Sequence, residues 1–84
     1  MTEQQLIRTK TMLDVLDTAV GLIADAALHA MIATRLGEKI TLAEWQSLRD
    51  HAERERWIAG VRSQFTDSFR WKITDAGRVA RSEM

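Results

Sequence analysis

Phe69-Arg70-Trp71-Lys72-Ile73-Thr74-Asp75-Ala76-Gly77-Arg78 is the stretch on which the fold turns. Phe69, Trp71 and Ile73 alternate with Arg70, Lys72 and Thr74, the period of two that marks a half-buried strand. Thr74 can then cap a short terminal helix from Asp75, a helix that Gly77 weakens. Upstream, Ala59, Val61 and Phe65 alternate with Gly60, Arg62 and Gln64, and Thr66-Asp67-Ser68 between the two runs is turn chemistry. A hairpin centred on Asp67 is expected to pair Phe65 with Phe69, Val61 with Ile73 and Arg62 with Lys72. That register puts Arg62, Arg70 and Lys72 together on its outer face.

Before the hairpin the period is helical. Thr41-Leu42-Ala43-Glu44 reads as a capping box, with Thr41 as N-cap and Glu44 reaching back to it. The helix it opens places Trp45, Leu48 and Ala52 on one face and Gln46, Arg49, Asp50, Glu53, Arg54 and Arg56 on the other. Thr2-Glu3-Gln4-Gln5 is a second capping box. From it Leu6, Leu13, Val20 and Ala27 recur every seven residues, with Leu16, Ile23 and Ala30 interleaved. The seam keeps its phase through Gly21, which favours one long bent helix from residue 3 to residue 36 over two helices. Glycine costs about 1 kcal/mol in a helix interior and can still mark a kink. Between Ala19 and Ala33 only Gly21, Asp25 and His29 are not apolar, so this part of the helix is expected to be buried. Gly37 is expected to end it in the left-handed conformation.

Composition sets the outer bounds. Eighty-four residues, 45% hydrophobic and 29% charged, suit one small mainly helical α+β domain with a C-terminal β-hairpin. There is no cysteine, which excludes disulfides, thiolate metal sites and a catalytic thiol. His29 and His51 stand far apart in sequence, so no metal site and no cofactor are expected. No apolar run is long enough to span a bilayer, and the N-terminus lacks the basic region of a signal peptide. A cytoplasmic, prokaryotic or phage-type protein is the expectation. Twelve basic and twelve acidic side chains cancel, nine of the cations being arginine. Residues 1–48 carry −2 and residues 49–84 carry +2, a weak polarity for a nucleic-acid binder.

Ile40-Thr41-Leu42-Ala43-Glu44-Trp45, Arg56-Trp57-Ile58 and Trp71-Lys72-Ile73-Thr74-Asp75-Ala76-Gly77-Arg78 together resemble the winged-helix family over roughly residues 22–80. The most specific piece is Ile73 to Arg78, which resembles the end of the wing. The resemblance implies a winged-helix-like core at 21–84, with residues 1–20 as a helical extension for dimerisation. In one respect the chain departs from the family. A full winged helix has two helices between its first helix and the wing, and Thr41 to Arg56 supplies one.

The residues then suggest where partners bind. Duplex DNA would meet Arg62, Arg70 and Lys72 of the wing, with Arg49, Arg54 and Arg56 on the preceding helix. Asp50, Glu53 and Glu55 offset that helix, so its charges also fit a solvated face laced with ion pairs. Leu6, Leu13, Leu16 and Val20 are the expected homodimer interface. A helix of about 30 residues runs about 45 Å, longer than a compact chain with a radius of gyration near 12 Å can cover. Asp25 and His29, spaced i,i+4, are expected to pair with each other on a polar stripe rather than act in catalysis. No nucleophile, Gly-rich loop or carboxylate pair accompanies them, and an enzyme is not expected. A small DNA-binding transcriptional regulator is the leading reading. The alternative is a winged-helix protein-interaction module, an adaptor or inhibitor that does not bind DNA.

Overall fold

The computed structural model describes residues 1–65 and 68–84. The expected turn at Thr66-Asp67-Ser68 therefore lies largely outside the described residues. Among these the chain forms, in order, α1 (Glu3–Thr18), β1 (Ile23–Ala24), α2 (Asp25–Leu36), α3 (Leu42–Arg54), β2 (Ile58–Arg62), β3 (Phe69–Ile73) and α4 (Asp75–Glu83). The strands make one antiparallel sheet in the order β1-β3-β2. This is a mostly helical α+β fold.

The expected continuous helix from 3 to 36 does not form. Helix α1 opens on the Thr2 capping box, with Gln5 N–H donating to Thr2 Oγ1 at 3.2 Å and Thr2 N–H to Gln5 Oε1 at 2.9 Å. It stops at Thr18; Ala19 is extended and Gly21 takes φ +95°, a left-handed conformation that glycine adopts without a Cβ penalty. Ile23 and Ala24 then pair with Trp71 and Arg70. That pairing occupies the edge of β3 that would otherwise present bare amides and carbonyls. Folding back also lets α1 pack on α2. The premise of an overlong helix fails with it, since the radius of gyration is 11.9 Å, about the value for a compact chain of this length.

Helix α1 is part of the core and not an extension. Met12, Leu13, Val15 and Leu16 pack with Leu28 and Ile32 of α2, Ile40, Trp45, Leu48 and Ala52 of the α3 region, and Ile58, Trp71 and Ile73 of the sheet. Helix α3 starts on the expected Thr41–Glu44 capping box and buries the expected face. Helix α2 ends on Gly37 at φ +64°, as expected. Its burial is not as expected: Leu28 and Ile32 are buried, whereas Ala26, Ala27, Ala30 and Met31 are exposed.

The hairpin register differs by three residues from expectation. Ile58 pairs with Ile73, Gly60 with Trp71, Val61 with Arg70 and Arg62 with Phe69. An odd shift exchanges the faces of one strand relative to the other. The shift has a packing reason: Gly60 lies opposite Trp71, and a Cβ there would stand 2.8 Å from the indole ring. Val61 and Phe65, expected inward, are exposed.

The Thr74–Gly77 segment joins the end of the hairpin to the end of α3. Thr74 accepts from Gly77 N–H at 3.0 Å, and its hydroxyl faces the Arg56 and Trp57 carbonyls at 2.6 and 3.0 Å. A Cβ on Gly77 would lie 2.1 Å from the Trp57 carbonyl oxygen, so this glycine is dictated by close approach. Arg78 and Arg81 of α4 pair with Asp17 and Asp14 of α1.

Candidate nucleic-acid interface

The six basic residues expected at the interface fall into three groups. Arg70 and Lys72 alternate with the buried Trp71 and Ile73, and so project from the outer face of β3. They are exposed and have no ion pair among the described residues. Arg54 and Arg56, at the end of α3, are likewise exposed and without an ion pair among the described residues. Arg56 has φ +62°, the only non-glycine positive φ among the described residues. It ends α3 where glycine is the usual choice.

Arg62 and Arg49 do not join that surface. The observed register places Arg62 on the face of Phe69 and Trp71, its guanidinium 5.4 Å from the Phe69 ring centre. Arg49 turns inward from α3: Nη1 donates to Asp25 Oδ1 at 3.1 Å, while Nε and Nη2 donate to Asp50 Oδ1, each at 3.2 Å. Its charge is spent within the chain. Helical phase puts Arg49 on the outer face of α3, but phase alone cannot tell a boundary position from an exposed one.

What receives Arg49 is a hub that the sequence pattern did not disclose. Asp25, the first residue of α2, accepts from Trp71 Nε1 at 2.8 Å on Oδ1 and from Trp45 Nε1 at 3.2 Å on Oδ2. Three elements (α2, α3 and β3) thus meet on one carboxylate. Burial by itself would push the Asp25 carboxyl up, but the bonds from Trp71, Trp45 and Arg49 and the Arg49 charge outweigh it and hold it below its ordinary value. The expected Asp25–His29 pair is absent. His29 stacks on Trp45 at 5.5 Å between ring centres, and its Nε2–H donates to the Ile40 carbonyl at 2.7 Å. Both side chains fasten the core, and the hub fixes α3 relative to the strand that carries Arg70 and Lys72. Two tryptophans 20 and 46 residues from Asp25 are not a spacing any local pattern encodes.

A second network fixes the start of α3. Arg8, with 9% of its side chain exposed, bonds Glu38 at 2.9 Å and Glu44 at 3.1 Å. Glu44 is held down to about 2, first by the Thr41 backbone N–H it caps and then by Arg8. Between the start of α1 and the length of α3 lies a groove of about 660 Å³ lined by Gln5, Ser47, His51 and Arg54 among others.

The expected dimer interface is dispersed. Leu13 and Leu16 are 0% and 3% exposed within the chain's own core, while Leu6 on α1 at 40% and Val20 beyond its end at 106% face outward. Further apolar residues are exposed on and just before α2, at Val20, Leu22, Ala26, Ala27, Ala30 and Met31. No helix among the described residues is long and apolar enough to cross a membrane. Comparison with protein-family models, with curated proteins and with solved structures gives no match.

Proposed function

We propose that this chain is a small winged-helix DNA-binding protein, a transcriptional regulator of prokaryotic or phage type acting in the cytoplasm. The break at Gly21 supports the reading. It turns one expected helix into α1, β1 and α2, so that two helices stand between the first helix and the hairpin. The observation that carries the reading is the outer face of β3, where Arg70 and Lys72 have no ion pair among the described residues. Helix α3 exposes Gln46, Ser47 and Arg54, side-chain types that can meet base edges and phosphates.

A salt titration against random duplex DNA tests this. The wild type should bind at low salt, with log affinity falling by about 0.9 per decade of salt for each phosphate contact. Replacing Arg70 and Lys72 with glutamine should flatten the slope by about two contacts and leave the fold intact, because neither side chain is buried. Absence of wild-type binding at low salt would overturn the reading.

A second reading, a winged-helix module that binds protein and not DNA, is favoured by one observation. Val20, Leu22 and Met31, on or just before α2, are exposed large apolar side chains, of the kind a protein partner would cover. The same surface is where a second copy of the chain would dock if the protein is a homodimer, because Leu13 and Leu16 are already buried.

A further inference from the structure

The far end of the hairpin holds an aromatic ring that the chain leaves in water. Ser63 N–H donates to the Ser68 carbonyl at 3.1 Å, closing the loop in which Phe65 stands. Phe65 is 86% exposed. Its backbone is nevertheless held, its amide donating to Ser63 Oγ at 3.2 Å. Phe69, one pair below on β3, behaves differently: it stacks on Trp71 at 5.9 Å and lies under the Arg62 guanidinium. One phenylalanine of the hairpin thus packs, and the other projects past the last strand pair, Arg62 with Phe69. Arg70 is paired to Val61 immediately behind it.

A ring so exposed adds little to stability. At the tip of a cationic hairpin it has the form of an apolar wedge. Side chains of this kind enter DNA by the minor groove, part a base step and kink the duplex, while flanking cations meet phosphates. We propose that Phe65 is such a wedge, entering a base step of duplex DNA with Arg70 at the adjoining phosphates. The inference rests on the DNA-binding reading above.

The experiment uses the full chain and a short duplex carrying 2-aminopurine in place of adenine at successive TA steps, the steps most easily unstacked. Binding is read separately by anisotropy of an end label. Wild-type protein should raise 2-aminopurine fluorescence at saturation. Phe65→Ala should bind at least about 5-fold more weakly, the loss of a base–aromatic contact, and should give no rise when saturated. Phe65→Trp should retain the rise. An unchanged melting temperature for Phe65→Ala excludes a folding defect. If wild type binds by anisotropy but gives no rise, and Phe65→Ala binds equally well, the wedge is overturned and the DNA-binding reading stands. If wild type shows no anisotropy change at low salt, both are overturned.

Discussion

Helices α2 and α3 span 12 and 13 residues and invite comparison, because one is mostly apolar and the other is amphipathic. Helix α2 buries Leu28 and Ile32 and leaves Ala26, Ala27, Ala30 and Met31 exposed. Helix α3 is far more polar, yet it buries Trp45, Leu48 and Ala52, the face its pattern assigns. The difference teaches that overall hydrophobicity does not choose a buried face. Large side chains choose it, because burial energy follows the area removed from water. Alanine offers little area and fits a helix in either setting.

The comparison breaks most sharply at Trp45. It is fully buried, stacked by His29 and bonded to Asp25. Trp45→Ala should cost about 3–5 kcal/mol, read by urea unfolding. A cost below about 1.5 kcal/mol would mean that α3 does not anchor the core.

Asp25 should come next and reverse the expected ranking within α2, where the one acidic residue outweighs the exposed apolar ones. Asp25→Ala leaves two indole N–H groups without their acceptor and Arg49 with Asp50 alone, and should cost about 2–3 kcal/mol at neutral pH. Because the folded-state pKa of Asp25 is lowered, its contribution is fully present above the unfolded value of about 3.9. It is lost as pH falls through the lower folded value. The stability gap between wild type and Asp25→Asn should therefore be constant near neutrality and narrow below about pH 4. A gap that does not narrow would show that the carboxylate charge is not what the hub uses.

The smallest effect is expected at Met31. Met31→Gln should change stability by no more than about 0.5 kcal/mol, in contrast to any change at Leu28, three residues earlier and buried. Sedimentation sharpens the test. A wild type that self-associates at tens of micromolar, and a Met31→Gln variant that does not, would show that a second copy covers this face.

Much of the local structure was legible. The Thr2, Thr41 and Thr74 caps form, Gly37 is left-handed, and Trp71 and Ile73 face inward. Each of these depends on contacts within a few residues or on a simple period. The break before β1 was not legible, because the seam from Leu6 to Ala27 keeps its phase through Gly21 and so favours one helix. What decides it is the open edge of β3, nearly fifty residues away at Trp71 and Arg70. The candidate site was legible by halves. Arg70 and Lys72 lie where alternation puts them, whereas Arg62 was misplaced by an odd register shift that Gly60 under Trp71 enforces.

The sequence by itself determined where three of the four described helices begin, which side of α3 is buried, and that a hairpin follows it. Those follow from capping hydrogen bonds and hydrophobic period, which act between neighbours along the chain. Only the tertiary structure decided that residues 19–24 leave the helix, that Leu13 and Leu16 serve the chain's own core, and that Arg49 is bound by Asp25. Each of those outcomes depends on groups distant in sequence competing for one edge, one apolar surface or one carboxylate, and such competition is settled only when the elements pack.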